Sequence, residues 1–305
     1  QLGGRVTLTI PEVRPHVPRT DVDDARTQAI ASSVDLVLTV GGGSATGLGK
    51  AIALEYLVSF VAIPTTYAGS EMTPIYGITE SSRKLTGRDD RVLPQTVIYD
   101  PEVTTSLPAR VTAGSGMNAI AHSVEALYAE SPNPVSSLLA ETSIQVLGSS
   151  LRACITDPTD RAARSDALYG AYLAGTVLAS SGIALHHRIC HVLGGRFDLN
   201  HGDLNAVLLA HVVAFNEPAA PRAIARVAQA LGGEESASAA LFDLSESLKA
   251  PTSLRELGLN ASDIKESAYL VADGDFYNPR PVDRAALTEI LKAAFEGRRP
   301  TNGSP

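Results

Sequence analysis

Residues 34–53 read VDLVLTVGGGSATGLGKAIA, and this stretch decides the fold. Its first seven residues are mostly β-branched or aliphatic, which is typical of a parallel strand buried on both faces. Three glycines follow, and then a run that favours helix. A strand, a glycine loop and a helix in this order predict one unit of an α/β domain.

The glycine loop is the first candidate binding element. Glycine lets a backbone approach a ligand without a Cβ in the way, and the free N–H groups at a helix start favour a phosphate. We therefore predict that Gly41, Gly42, Gly43, Ser44 and Thr46 hold the phosphates of a dinucleotide. The spacing matches neither the usual dinucleotide fingerprint nor a P-loop, and a tight strand–helix turn also needs glycine.

Further strands and helices alternate around this unit. We expect strands at residues 5–10, 58–63 and 96–101 and a helix at residues 20–33. Thr65, Thr66 and Ser70 follow the second of these strands, where their hydroxyls could bind a ribose or an amide of the cofactor. The alternation predicts an open, mostly parallel, Rossmann-like sheet over residues 1–107.

From residue 108 to residue 305 the pattern predicts an all-helical domain rich in alanine and leucine. The expected helices span residues 111–129, 134–155, 160–180, 183–192, 203–216, 221–231, 235–248, 253–258, 261–273 and 284–295. On the first of them Asn118 and His122 are four residues apart and share a face.

Residues 186–201 read HHRICHVLGGRFDLNH and hold four of the seven histidines. His187 and His191 share one helix face, and we expect Gly194-Gly195 to end or bend that helix before His201 returns after a short turn. Converging imidazoles could hold a metal ion, or could donate protons to a substrate.

Composition limits the class of protein. The net charge of −8 argues against a nucleic-acid or anionic-membrane surface. Two cysteines far apart suit a reducing compartment, and no apolar run reaches transmembrane length. We therefore expect a cytoplasmic protein without nucleic-acid or membrane partners.

Together these motifs resemble the iron-containing (group III) alcohol dehydrogenase family over nearly the whole chain. The resemblance rests on the glycine loop, on residues 64–71 (PTTYAGSE) and on the histidine block. It implies a dehydroquinate synthase-like architecture, an NADH or NADPH cofactor, an active site in the cleft between the two domains, and a homodimer. Family members begin with a further strand–helix unit, so the resemblance also implies that an N-terminal part is missing here.

Two departures indicate a branch of that family. The residues that match the family's metal ligands are Asn118, His122, His187 and His201, and Asn118 stands where a carboxylate is expected. Gly47 stands where metal-dependent members usually carry an acid. Both features resemble the maleylacetate reductases, as do residues 86–89 (TGRD), 115–122 (SGMNAIAH) and 278–282 (NPRPV). The resemblance implies metal-free reduction of maleylacetate to 3-oxoadipate beside a vestigial metal site.

This reaction suggests roles for individual side chains. We assign proton donation and enolate stabilisation to His191 and His122, while His187, His201 and Asn118 shape the same pocket. Two substrate carboxylates call for a cation, and the candidates are Arg280, in a loop with Tyr277, and Lys84, Arg88 and Arg188. Lys84 is also a candidate for the cofactor.

Three alternatives remain open. The chain could be an alcohol or aldehyde reductase that uses Fe²⁺ or Zn²⁺ despite Asn118. It could be a metal-dependent enzyme like dehydroquinate synthase or glycerol dehydrogenase. It could also be a nucleotide-binding protein without catalytic activity.

Overall fold

A three-stranded parallel sheet lies in the first part of the chain. The computed structural model describes residues 3–80, 83–130, 132–233 and 236–301, and leaves the side chains of residues 83 and 84 outside the description. The strands are β1 (Leu36–Gly41), β2 (Ser59–Pro64) and β5 (Thr96–Val97), in the order β1-β2-β5. β1 and β2 pair in register from Leu36 opposite Ser59 to Gly41 opposite Pro64, so both strands end at the same edge.

One face of this sheet is covered by helix α2 (Gly43–Glu55). The helix lies so close that a Cβ on Gly49 would stand 2.7 Å from the ring of Phe60. The other face is open in the part of the chain that is described, since Leu36, Leu38 and Val40 are 45%, 36% and 58% exposed. The prediction that β1 is buried on both faces was therefore wrong.

Two other local predictions also differ from the structure. Residues 3–5 form a short 3-10 helix, and residues 6–10, expected to be a strand, pair with no strand among the described residues. Strands β3 (Ile75–Glu80) and β4 (Arg83–Arg88) form an antiparallel pair that the sequence analysis missed. Helix α1 (Arg19–Ala31) lies where a helix was expected, and Pro18 before it forms a bridge to Thr79 in β3.

Helices make up the chain from residue 109 onward. They are α3 (Ala109–Leu127), α4 (Pro134–Thr156), α5 (Arg161–Ser181), α6 (Leu185–Phe197), α7 (His201–Asn216), α8 (Pro221–Ala230), α9 (Ala237–Ser247), α10 (Asp263–Ala272) and α11 (Arg284–Glu296). Residues 253–258 form turns rather than the expected helix. The predicted fold class, an α/β part followed by helices, is confirmed.

Two apolar cores hold the helices together. The first lies among α3, α4, α5, α8 and α9, and the second joins α6, α7, α10 and α11. Within the described ranges no single helix is long and apolar enough to cross a membrane; only α5 and α6 taken together, with a 99° bend between them, pass on length and composition.

Helix α6 does not end at its two glycines. It continues to Phe197 and stops at Asp198, whose φ of 54° is left-handed. Leu193 and Phe197 pack into the second core, and this packing outweighs the roughly 1 kcal/mol that each glycine costs in a helix. His201 is then the first residue of α7, three residues after Asp198.

Candidate active site between the sheet edge and the helices

The glycine loop forms the start of α2. Gly42 is the N-cap of the helix, and no side chain caps the first N–H groups, which suits an anion such as a pyrophosphate. A Cβ on Gly42 would lie 2.8 Å from Cγ2 of Thr66, so the loop packs against the second predicted cofactor loop. Gly41, Gly43 and Ser44 are at least partly exposed, whereas Thr46 is buried. This end of the sheet therefore fits a dinucleotide.

Gly47 is explained by packing. A Cβ at this position would stand 2.8 Å from Cγ2 of Val17. The segment before α1 therefore approaches too closely for the side chain of an acid at this position.

The second loop, residues 65–75, runs from the end of β2 to the first residue of β3 and packs against the helices, and we call it the bridging loop. On the sheet side it is held by Lys50 of α2, which has no exposed surface. Lys50 Nζ lies 2.6 Å from the carbonyl of Ser70, 2.7 Å from those of Thr73 and Ile75, and 3.0 Å from Thr73 Oγ1. Burial lowers the pKa of Lys50 to about 7, with nearby Glu71 opposing that change. Lys50 thus fixes the bridging loop to α2, and we call this set of hydrogen bonds the Lys50 clamp.

On the helical side the bridging loop is held by buried polar contacts. Arg164 of α5 is buried and donates from Nη1 to Tyr67 Oη at 2.9 Å and to Thr112 Oγ1 at 3.0 Å. Gly69 has a left-handed φ of 75°, and a Cβ there would meet the backbone of Gly175 at 3.1 Å. Both contacts place the loop directly against α3 and α5.

Asn118 joins the bridging loop to the imidazoles. Its Nδ2 donates to the carbonyl of Ala68 at 3.4 Å, and its amide oxygen lies 3.2 Å from Nε2 of His187. Thr65 and Thr66, which are half-buried, begin the same loop. The predicted cofactor residues and the predicted catalytic residues therefore meet at one place.

The structure brings all four predicted histidines together. The rings of His122 and His187 stack with centroids 4.5 Å apart and an angle of 12° between their planes. His191 and His201 stack at 5.6 Å, and each lies 6.1 Å from His187. His122 and His187 are buried, while His191 is exposed. The cluster thus runs from solvent into the helical core.

Burial controls the protonation of the inner pair. It lowers the pKa values of His122 and His187 well below the usual range, and the neighbouring imidazoles add to this effect. His122 Nδ1 is buried and has no hydrogen-bond partner among the described residues. Neutral inner rings can accept or relay a proton, whereas His191 is placed to exchange protons with water.

Sequence reasoning missed Glu125, a buried acid of α3. Its Oε2 lies 2.7 Å from Nδ1 of His187. Its two oxygens also accept from the backbone N–H groups of Ala184 (3.0 Å) and His186 (2.8 Å). The spacing offered a signal, because Glu125 follows Asn118 by seven residues and His122 by three and so lies on their helix face.

The residues that match the family's metal ligands do not fit a metal ion in this arrangement. Asn118 contributes a neutral amide, so the set lacks an anionic ligand. An ion bound by two imidazoles lies close to both ring planes, and with the rings of His122 and His187 stacked at 12° these planes share no point within bonding distance of both rings. The neighbouring carboxylate of Glu125 is already used by His187 and by the backbone of α6.

A second group of potential metal ligands lies beside the cluster. Glu125, His186 and His187 are the potential metal ligands that converge within 4.8 Å among the described residues. The contact of 2.7 Å between Glu125 and His187 is a hydrogen bond, and the carboxylate accepts two further N–H groups. This group is therefore a hydrogen-bond network.

The two residues predicted to bind the substrate, Tyr277 and Arg280, have contacts away from the imidazoles, and their role stays a prediction. Arg280 donates to the carbonyl of Phe215 at 2.8 Å and stacks on its ring at 4.2 Å. Phe215 lies fourteen residues beyond His201 on α7, about 20 Å along the helix axis. Tyr277 lines a surface cavity of about 440 Å³ with Tyr128, at the far end of α3. Both side chains are partly exposed.

Two of the other cationic candidates, Arg88 and Arg188, are also engaged. Arg88 donates to the carbonyl of Ala179 at 3.0 Å, and Arg188 to that of Leu270 at 3.0 Å. The backbone of Lys84 lies in β4, and its side chain is outside the described residues. Ser70 presents its carbonyl to Lys50 from the bridging loop.

Comparison with known protein families covers most of the chain. Residues 1–101 match the family described as iron-containing alcohol dehydrogenase. Residues 112–295 match the family described as Fe-containing alcohol dehydrogenase, C-terminal.

Individual relatives are similar over almost the full length. A maleylacetate reductase from Burkholderia cepacia is 49% identical over 300 residues, 98% of this chain and 85% of that protein. The crystal structure of maleylacetate reductase from Agrobacterium tumefaciens superposes with a TM-score of 0.92 at 45% identity, covering 95% of this chain and 83% of that one. That of maleylacetate reductase from Rhizobium sp. strain MTP-10005 gives 0.91 at 43% identity, with the same coverage.

Proposed function

Because the chain belongs to the iron-containing alcohol dehydrogenase family, we propose that it reduces maleylacetate to 3-oxoadipate with NADH or NADPH and without a metal ion. The name shared by its relatives supports the substrate. The observation that carries the proposal is the chain of contacts from Gly42 through the bridging loop and Asn118 to His187. It links a phosphate-binding helix start to a cluster of imidazoles.

The reduction adds a hydride and a proton to the substrate. Maleylacetate is an enone flanked by two carboxylates. Bound NAD(P)H supplies a hydride to the alkene carbon β to the ketone, and a proton must then reach the carbon next to the ketone. The electron pair of the alkene passes through an enolate, whose oxygen needs a hydrogen-bond donor or a positive charge.

We assign the proton steps to the histidine cluster. His191 is exposed and lies beside His201, so it can take a proton from water and give it to the substrate. His122, stacked on His187, stabilises the enolate oxygen from the buried side. Asn118 hydrogen-bonds the substrate or His187 through its amide.

The cofactor sites follow the two loops. Gly41, Gly42, Gly43 and Ser44 offer the phosphate cradle at the start of α2. Thr65, Thr66 and Ser70 lie on the bridging loop beside it, and Thr46, a buried residue in the first turn of α2, completes the proposed phosphate site. The structure favours neither NADH nor NADPH, and both belong to the proposal.

Metal-free catalysis is the more specific part of the proposal. It is supported by the neutral ligand at Asn118 and by the parallel planes of His122 and His187. The two separated cysteines support a cytoplasmic enzyme, and the name shared by the relatives supports a small dicarboxylate substrate. A homodimer completes the proposal and is tested by light scattering.

The test is a kinetic assay that follows NADH or NADPH absorbance with maleylacetate, with and without a chelator. We expect equal rates in both conditions. His191→Ala and His122→Ala should each lower kcat about 100-fold. The matched control is His16→Ala, because His16 is an exposed histidine outside the cluster. The proposal fails if maleylacetate oxidises neither cofactor, and its metal-free part fails if a chelator abolishes the rate and Fe²⁺ or Zn²⁺ restores it.

A further inference from the structure

One side of helix α3 contacts both helices that bring imidazoles to the site. Residues four apart lie above one another on a helix, and this side of α3 carries Arg110, Gly114, Asn118 and His122. The last two lie against His187 of α6. The first two lie against α7, which begins at His201. The same helix side therefore relates α7 to α6.

Gly114 and Gly202 bring α3 and α7 into backbone contact. A Cβ on Gly114 would stand 2.9 Å from the carbonyl carbon of Gly202, and a Cβ on Gly202 would stand 3.1 Å from Cα of Gly114. These neighbours are backbone atoms, which cannot rotate away as a side chain can. Helices this close need glycine on both sides, although glycine weakens a helix. Because Gly202 directly follows His201, the contact sets the distance of His201 from α3.

An ion pair fixes the rotation of α7 at the same place. Arg110 Nε lies 3.0 Å from Oδ2 and 3.1 Å from Oδ1 of Asp203, and Arg110 Nη2 lies 2.6 Å from Oδ2. The side chain of Asp203 is only 3% exposed, whereas that of Arg110 is 65% exposed. Asn200 caps α7 and accepts from the N–H group of Asp203 at 3.2 Å. A planar guanidinium that binds both oxygens sets direction as well as distance.

The rotation of α7 decides where the ring of His201 points. Asp203 follows His201 by two residues, which is about 200° around the helix. Holding Asp203 on α3 therefore turns His201 to the other side of α7. There its ring stacks on His191 at 5.6 Å and lies 6.1 Å from His187.

We propose that the contact between Gly114 and Gly202 and the pair of Arg110 with Asp203 position His201 against His191. These four are positioning residues, because they act on the site through His201. The effect on turnover rests on the proposed function, in which His191 beside His201 passes a proton to the substrate. The placement of the ring does not rest on it.

Substitution of Gly202 by Ala tests the close approach. The backbone of Gly114 would have to give way by a few tenths of an ångström, and His201 would move with the start of α7. We expect Gly202→Ala to lower kcat about 10-fold and to leave the KM for NADH within about twofold.

The matched control is Gly170→Ala on α5. A Cβ there would stand 2.6 Å from Cγ of Leu147, so this variant also overpacks a contact between helices, in the first core. It should lower the free energy of unfolding and keep the wild-type kcat. If Gly170→Ala loses as much kcat as Gly202→Ala, general loosening of the helices explains the loss and the proposal is overturned.

Variants of Arg110 test the ion pair at a largely exposed side chain. Arg110→Gln removes the charge and should lower kcat about 5-fold, and Arg110→Lys should restore part of it, because Lys keeps the charge without the planar fork. Arg222→Gln, at an exposed arginine of α8, is the control and should keep the wild-type kcat. Wild-type kcat in both Arg110→Gln and a folded Gly202→Ala overturns the proposal.

The deciding measurement is NMR of the full chain labelled with ¹³C in its histidine rings, with the His201 signals assigned from His201→Asn. All spectra are recorded at pH 8, where an ordinary imidazole is neutral. We expect the ring signals of His201 and His191 to move in Gly202→Ala and to stay at their wild-type positions in Gly170→Ala. Unmoved signals in Gly202→Ala overturn the proposal, and Arg110→Gln replaces it in this test if Gly202→Ala does not fold. If maleylacetate is not reduced at all, the spectra still decide the placement of His201.

Discussion

Lys50 Nζ lies 2.7 Å from the carbonyl oxygen of Thr73, and neither residue is exposed to solvent by more than 2%. A lysine just after a glycine loop suggests a phosphate ligand. Here its ammonium instead faces the backbone of the bridging loop. These hydrogen bonds therefore order the segment that lies between the glycine loop and the imidazoles.

We predict that Lys50→Met loosens the bridging loop. Met keeps the apolar stem and leaves the carbonyl groups of Ser70, Thr73 and Ile75 without their donor. The free energy of unfolding should fall by about 3 kcal/mol, and the KM for NADH should rise. Urea unfolding and steady-state kinetics provide the measurements. Lys265→Met, at an exposed position, is the control, and equal effects of the two substitutions would rule out the clamp.

Acid sensitivity should depend on His211. This residue of α7 is buried, its Nε2 has no partner among the described residues, and burial lowers its pKa from 6.5 to about 4. Between pH 6.5 and pH 4 the unfolded chain binds a proton that the folded chain does not. The free energy of unfolding therefore decreases as the pH is lowered from 6.5 to 4, by up to about 3 kcal/mol in total.

The variant His211→Leu should remove this part of the pH dependence. Urea unfolding at pH 7, 6 and 5 should show a shallower loss of stability than in the wild type. His16→Asn, at an exposed position, should keep the wild-type slope. An unchanged slope in His211→Leu would show that the buried imidazole does not cause the acid sensitivity.

Restoring a carboxylate at Asn118 should favour a metal ion. Asp at this position would place an anionic oxygen near Nε2 of His187, and one ring could then turn toward the same point. We expect Asn118→Asp to bind Zn²⁺ at least about tenfold more tightly than the wild type. Elemental analysis after dialysis measures this, with the exposed substitution Asn260→Asp as the control. If affinity stays at the wild-type level, the missing charge is not what disfavours the ion.

Arg280 should affect stability rather than substrate binding. Its guanidinium is held by the carbonyl and the ring of Phe215. Arg280→Ala should lower the free energy of unfolding by about 2 kcal/mol and leave the KM for maleylacetate within about twofold. A tenfold rise in that KM with unchanged stability would return Arg280 to the substrate site.

Local patterns in the sequence were enough to predict the elements that carry most of the site. The strand before Gly41, the glycine loop and the helical spacing of Asn118 and His122 each depend on neighbours along the chain. The clustering of His187, His191 and His201 follows from one helix and one short turn. These features needed no knowledge of distant contacts.

What the sequence did not reveal depends on contacts between distant segments. Glu125 acts on a residue 62 positions away, and Arg280 binds a carbonyl 65 positions away. The contacts of Lys50 with Ser70 and Thr73 likewise join positions 20 and 23 residues apart. Helix α6 continues past Gly194 and Gly195 because residues around them pack into the core, and local helix propensity does not predict this packing.

The bridging loop restricts how the molecule can open. Separating the sheet from the helices at this point would break the contacts of Lys50 on one side or the bond between Arg164 and Tyr67 on the other. Relative movement of these two parts at the bridging loop therefore costs buried hydrogen bonds. The histidine cluster meets solvent at its other end, where His191 is exposed.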